Sequence, residues 1–382
     1  MSDRTIFQCN PRAAYEAQAS AIDAAIQRVL HSERYILGPE VAAFEVEFAA
    51  YVGCNHAIGV ANGTDALAIA LKALGVGPGD VVLTVSHTAV ATTVGIRATG
   101  ASPLFVDVDE QHGLMDLDAL EGLLFAIRDG QGAVPFARIK AIVPVHLYGR
   151  CVDMTRLAAI ATEFSLPLVE DCAQAHGARF EGRPAGSFGA FGCFSFYPTK
   201  NLGAVGDGGA LVTSDPNLLE QARLQREYGW KQRYISDVEG GNSRLDELQA
   251  ALLRVKLTAL DTDNAARVAI ADVYRALINH PAISLPLPAP NGQHVYHQFA
   301  IRCGARDRLQ AYLKDKGIGT LVHYPCAIHE QPAYANQSFA PLPLPRTKMW
   351  SREVLSLPMF PQLETAAVEY VAASINSWDG PA

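Results

Sequence analysis

From about residue 40 onward, short apolar runs recur along the chain: His56–Val60, Val81–Val85, Pro103–Val106, Ala141–Val145, Leu166–Val169, Phe191–Phe196 and Ala210–Thr213. Their apolar residues are consecutive rather than alternating, the pattern of a strand covered on both faces. Stretches at helical spacing lie between them. In one, Val41, Phe44, Phe48 and Tyr51 share a helix face, with Pro39 at its start and Gly53 at its stop. Asp65–Leu74 and Asn217–Tyr228 read as further helices, the second opened by Pro216. Buried strands joined by helical crossovers predict an α/β fold built on a mostly parallel, seven-stranded central sheet.

The texture changes after Gly240-Gly241. Leu245–Leu260 and Ala265–Leu277 predict long helices, followed by the proline-rich Pro281–Pro290, a strand near Tyr296–Arg302 and a helix near Ala305–Lys316. Gln331–Pro345 reads as an exposed loop, and Glu364–Ser377 as a final helix. At 382 residues the chain exceeds the length at which one core stops growing. Two domains are expected: a large α/β domain over residues 1–245 and a smaller C-terminal α+β domain over 246–382.

Composition narrows the function classes. Hydrophobic content of 49% and charged content of 18% fit a well-buried globular protein. A net charge of −8 without a basic run argues against nucleic-acid binding. No apolar run approaches the roughly 20 residues of a membrane helix, and the first residues lack a basic-then-apolar leader, so no membrane contact and a cytoplasmic location are expected. The seven cysteines form no CxxC pair, which points to buried free thiols rather than a disulfide frame or a metal site.

Three junctions carry candidate chemistry, each at a strand end. Ala61-Asn62-Gly63-Thr64-Asp65 opens a helix, where free N–H groups and the helix dipole make an anion site; Gly63 allows close approach and Thr64 adds a hydroxyl. An ordinary N-cap explains the same residues. Asp171 ends an apolar strand, where open α/β sheets bind ligands, with Gln174 three residues on. Its neighbour Glu170 points to the opposite face. A helix cap is the plain alternative for Asp171. Lys200 follows the uncharged, aromatic run Phe194-Ser195-Phe196-Tyr197-Pro198-Thr199, which would desolvate its amine and favour a nucleophilic lysine. Taken singly it reads better as a surface lysine after a Pro-Thr turn. Gly206-Asp207-Gly208-Gly209 precedes a strand instead of following one, so it is not a dinucleotide loop. The conjunction decides: an anion cradle, a carboxylate and a lysine are the parts that pyridoxal phosphate chemistry requires.

With these motifs the chain resembles the DegT/DnrJ/StrS family of pyridoxal-phosphate-dependent nucleotide-sugar aminotransferases. The matching segments run from Tyr35-Ile36-Leu37-Gly38-Pro39-Glu40 to Leu355-Ser356-Leu357-Pro358. They include Asn62–Leu67, Glu170–Gly177, Phe194–Leu202, Gly206–Gly209 and Asn242–Ala250. The resemblance implies a fold-type-I transferase and a homodimer with shared active sites. By it, Lys200 is the Schiff-base lysine and Asp171 the partner of the pyridinium nitrogen. Gln174 meets the phenolic oxygen, and Gly63, Thr64 and Ser195 bind the phosphate, which Asn242 reaches from the neighbouring subunit. Relatives carry an aromatic residue where Ala89 stands, which leaves His87 as a stand-in for ring stacking. Dehydratases of the family have histidine in place of the lysine.

The resemblance further implies transfer of an amino group, from L-glutamate or a similar amino acid, to C3 of a dTDP-linked 3-keto-6-deoxyhexose. Alternatives are C4 amination of a 4-keto sugar in the manner of a perosamine synthase, a dehydratase on the same cofactor, or a non-catalytic regulator. Lys231, Arg233 and Arg244 are candidates for the diphosphate, and His323, Tyr324 and His329 for the sugar. No metal is expected.

Overall fold

The computed structural model describes residues 5–380 apart from 133, 290, 336 and 338. Its centre is one twisted sheet. The strands are β1 (His56–Val60), β2 (Val81–Val85), β3 (Ser102–Val106), β4 (Ile139–Ile142), β5 (Val169–Asp171), β6 (Phe191–Ser195) and β7 (Gly209–Thr213). In space they run β3-β2-β4-β5-β6-β7-β1. β2 pairs in parallel with β3 and β4, and β5 with β6. Parallel bridges Ile142↔Leu168 and Val145↔Asp171 join the two halves. β7 is antiparallel to both of its neighbours, so it alone runs against the rest. The mostly parallel seven-stranded sheet is therefore present.

β4 stops before the end of its predicted apolar run and β5 starts after the beginning of its own, and proline is the reason. Pro144 and Pro167 have no N–H for a ladder. The chain instead uses their carbonyls: Asp171 donates to Pro144 O at 2.9 Å and Ile142 to Pro167 O at 3.0 Å. All five residues of β2 are buried, as expected of a strand covered on both faces. On one side the helix Gly63–Ala73 lays Ala66, Leu67, Ala70 and Leu71 against Ile58, Val60, Phe191 and Leu211. On another, Phe44 and Phe48 meet Phe194 and Phe196 edge-on.

The helix Pro39–Val52 begins and ends where the sequence marks it. Gly53 closes it at φ 76° in the left-handed region that glycine adopts without penalty. Its N-terminus is capped from a distance. The buried Glu247 carboxylate accepts from Gly38, Glu40 and Val41 amides at 2.7–2.9 Å, a negative charge on the positive end of the helix.

The smaller lobe pairs Phe299–Arg302 antiparallel with Val354–Leu357. The helices Leu260–Leu277, Arg306–Asp315 and Thr365–Asn376 cover that pair around Tyr274, Phe299, Leu309 and Leu355. Packing crosses the boundary expected at residue 245 in both directions. The helix Glu247–Leu257 sits with the large lobe, placing Ala250 and Leu253 against Phe44 and Phe48. The N-terminal segment joins the small lobe, where Ile6 pairs with Ile318 and Met359 donates to Gln8 O at 2.9 Å. The loop expected to be exposed near Gln331–Pro345 is anchored: Phe339 and Leu344 are buried against Phe105 and Ile328. Its residues 336 and 338 lie outside the described residues.

Candidate active site

The anion cradle is assembled from three separate segments. Asn62, not Thr64, is the N-cap of the helix Gly63–Ala73, and its side-chain oxygen takes the Asp65 N–H at 2.8 Å. Gly63 and Thr64 then carry N–H groups that a helix cannot pair internally. Ser195, at the end of β6, faces them so closely that a Cβ on Gly63 would lie 2.6 Å from Ser195 Cβ. The third segment is held by Ser243. Its hydroxyl accepts from Ala61 N at 3.0 Å and donates to Asp65 at 2.6 Å. Asn242, beside it, is exposed.

β5 sends its two carboxylates opposite ways, as strand geometry requires. Glu170 is fully buried: Phe188 N and Gly189 N donate to one oxygen, and Gly186 N and His146 Nε2 meet the other, at 2.7–3.0 Å. That commitment to backbone explains why the His146–Glu170–Cys172 cluster has no carboxylate to spare for an ion. Asp171 points the other way, toward Thr92 and Lys200. Thr92 Oγ1 donates to it at 2.8 Å and Ala173 N at 3.1 Å. Burial raises its pKa, against the opposing pull of Thr92, Ala173, Lys200 and His146. A cation at this carboxylate would be strongly held.

Lys200 follows β6 on the same side, its amide donating to Tyr197 O at 2.9 Å. Burial brings its amine down to about 8, with Asp171 pulling the other way. Burial foremost, then the same ammonium, depresses His176, His297 and His323. Lysine and carboxylate are thus in one electrostatic environment ringed by neutral imidazoles. Gln174 is buried nearby, accepting from Tyr148 N at 2.7 Å and donating to Tyr324 Oη at 3.0 Å. Burial foremost, then the charge of Asp171, pushes the Tyr324 hydroxyl up to about 12, so it stays protonated.

The predicted residues separate into three groups. Lys200 and Asp171 act on each other's charge, Tyr324 feels Asp171 and takes a hydrogen bond from Gln174, His323 feels Lys200, and Gly63 and Thr64 open the helix that meets Ser195. His323 Nδ1 is bonded to Ser356 Oγ at 2.9 Å. His329 is tied instead to Ser86, at 2.8 Å through Nδ1 and 3.0 Å through its amide, beside Phe105. The cations lie on or next to an exposed hairpin, Trp230–Gln232 with Ile235–Ser236. Lys231 pairs with Glu220 at 3.1 Å, Arg233 covers the Tyr234 ring, and Arg244 pairs with Glu227 at 3.7 Å. His87 is buried under Trp350 and bonded to Tyr148, so its ring is packed into the protein rather than held free for stacking. Sequence reasoning passed over Thr92, Tyr148 and His297. Only Thr92 had a usable signal, the Thr88-x-x-x-Thr92 spacing at the start of the helix Val90–Arg97.

These residues fit pyridoxal 5′-phosphate. The Gly63–Ser195 approach leaves no space for a side chain at the helix N-terminus, whose free N–H groups suit a phosphate, and the buried Asp171 suits a cationic ring nitrogen. Residues 16–376 match the sequence pattern of the DegT/DnrJ/EryC1/StrS aminotransferase family. The chain is 46% identical over 368 residues to the dTDP-3-amino-3,4,6-trideoxy-alpha-D-glucose transaminase of Streptomyces venezuelae, covering 96% of this chain and 94% of that one. It is 40% identical over 356 residues to the UDP-2-acetamido-2-deoxy-3-oxo-D-glucuronate aminotransferase of Pseudomonas aeruginosa, covering 93% and 95%. The crystal structure of S. venezuelae DesV in complex with a ketimine intermediate superposes with a TM-score of 0.92 at 46% identity, covering 98% of each chain.

Proposed function

We propose, from the premise that this chain belongs to the DegT/DnrJ/EryC1/StrS aminotransferase family and uses pyridoxal phosphate, that it aminates C3 of a dTDP-linked 3-keto-6-deoxyhexose. The amino donor is an amino acid, L-glutamate first. The observation that carries the reading is the electrostatic pairing of buried Lys200 with buried Asp171 in a chain so similar, end to end, to a dTDP-sugar transaminase.

The cofactor, when bound, supplies an electron sink for a carbanion next to nitrogen. The protein supplies the rest. Asp171, fixed by Thr92 and Ala173, holds a proton on the ring nitrogen. The Gly63 and Thr64 amides with Ser195 bind the phosphate. Gln174 donates to the ring's phenolic oxygen. Lys200 would hold the cofactor and, once released, would move protons: its amine, brought down to about 8 by burial, is suited to take one from the donor α-carbon in the first half-reaction and to deliver one to the sugar carbon in the second. His323 and Tyr324 contact the sugar. Arg244 and Arg233 meet the diphosphate in a homodimer whose sites are shared, with Asn242 crossing to the neighbour's phosphate.

A UDP-linked 3-oxo sugar is the second reading, favoured by the similarity to the P. aeruginosa enzyme. Both relatives are named for chemistry at position 3, which is why C4 amination is not favoured. Incubation with L-glutamate and a panel of dTDP- and UDP-linked 3-keto and 4-keto sugars, with products read by mass spectrometry and NMR, tests the proposal. A 3-amino product on dTDP is expected. Amination only at C4, or only on UDP, would overturn the corresponding part.

A further inference from the structure

The hydrogen bonds around Tyr148 fix the donor in each contact. Tyr148 lies beyond β4 at φ 61°, ψ 1°, a left-handed conformation that a bulky residue keeps only where its surroundings hold it. Its amide can only donate, so the Gln174 atom it meets at 2.7 Å is the amide oxygen. The Gln174 NH2 is therefore turned the other way, donating to Tyr324 Oη at 3.0 Å and retaining a second N–H. The Tyr148 hydroxyl donates to the His323 carbonyl, which can only accept. With that proton committed, the 2.9 Å contact to His87 runs from His87 Nε2–H to Tyr148 Oη. Burial, which brings His87 down to about 3, keeps the imidazole neutral and consistent with that tautomer. One buried residue, through its amide and its hydroxyl, thus joins the segment after β2, the Gln174 turn after β5 and the His323–Tyr324 pair of the C-terminal half.

We propose that Tyr148 is a positioning residue: its amide orients Gln174 toward the cofactor ring, and its hydroxyl seats His323–Tyr324 as the wall against which the keto-sugar binds. The inference rests on the reading of Gln174 and of His323–Tyr324 given under the proposed function. It also divides the two contributions by atom, since the amide serves the cofactor and the hydroxyl serves the sugar.

Tyr148→Phe removes only the hydroxyl. The amino-donor half-reaction, followed as loss of cofactor colour with L-glutamate, is expected to stay within about twofold of wild type. The sugar half-reaction is expected to slow about tenfold, the scale of one lost neutral hydrogen bond. Pyridoxal phosphate affinity of the apo chain should be unchanged. The Kd of a dTDP-linked 3-amino sugar for that same cofactor-free chain, measured by calorimetry, should rise about fivefold. Ser356→Ala, which removes the Oγ partner of His323 Nδ1, should give the same split at smaller amplitude and keeps the test open if Tyr148→Phe does not fold. Equal losses in both halves, or no loss in either, would overturn the positioning role. If the wild-type chain turns over no 3-keto sugar, the substrate reading fails and this inference with it. If the wild type reacts and the variants show no split, the inference alone fails.

Discussion

On the proposed reading Lys200 serves as both a nucleophile and a proton carrier, and its burial suits it to both. At pH 7 an amine near 8 is free base in about a tenth of molecules, against fewer than one in a thousand for an unperturbed lysine. The rate at which the apo chain captures pyridoxal phosphate should therefore rise with pH and level off above about 8, read by absorbance in stopped flow. The sign for stability follows from the same shift. Between about 8 and 10.5 the unfolded chain holds a proton on this lysine that the folded chain has lost, so stability of the apo chain rises with pH across that window. Lys200→Met should flatten the rise in urea titrations made at both ends of it. On the same reading, Asp171→Asn keeps the side-chain shape and removes the charge that would face the ring nitrogen. Turnover should fall by about 10²–10³-fold while the chain still binds the cofactor.

At the scale of elements, the site depends on how closely the helix Gly63–Ala73 approaches β6. Gly63→Ala places a methyl 2.6 Å from Ser195 Cβ. Pyridoxal phosphate affinity should drop at least tenfold, measured by fluorescence quenching, with little change in secondary structure. The start of the helix Pro39–Val52 carries a different test. Glu247→Ala strands three buried backbone donors. A loss of about 3 kcal/mol of stability is expected in chemical denaturation, with no direct effect on the cofactor. This element also marks the limits of the sequence. Apolar runs located the seven strands because burial on both faces leaves consecutive hydrophobic residues. The lysine, carboxylate and glycine lay at predictable strand ends. Contacts such as Glu247 with Gly38 or Tyr148 with Gln174 join residues 209 and 26 positions apart. No local pattern encodes them. Prolines 144 and 167 trimmed two strands through their missing N–H groups, a readable signal that the hydrophobic runs concealed.

At the scale of the whole molecule, the lobes are interleaved, with residues 5–8 near the N-terminus on the small lobe and the mid-chain helix Glu247–Leu257 on the large one. The position of Asn242 makes a claim about assembly. It is exposed while Ser243 beside it is anchored to the cradle. On the shared-site reading, sedimentation should give twice the 41.0 kDa chain mass. Asn242→Ala should raise the Kd for pyridoxal phosphate about fivefold without disturbing either lobe. The central claim is that one cleft, through Lys200 and Asp171, carries an amino group from an amino acid to a keto-sugar. The most direct measurement is the absorbance of the cofactor-loaded protein in two additions. L-glutamate should bleach the yellow form, a dTDP-linked 3-keto-6-deoxyhexose should then restore it, and Lys200→Ala should do neither. A loaded wild-type protein whose spectrum is unmoved by any amino donor, or a Lys200→Ala chain that completes the cycle, would contradict the account.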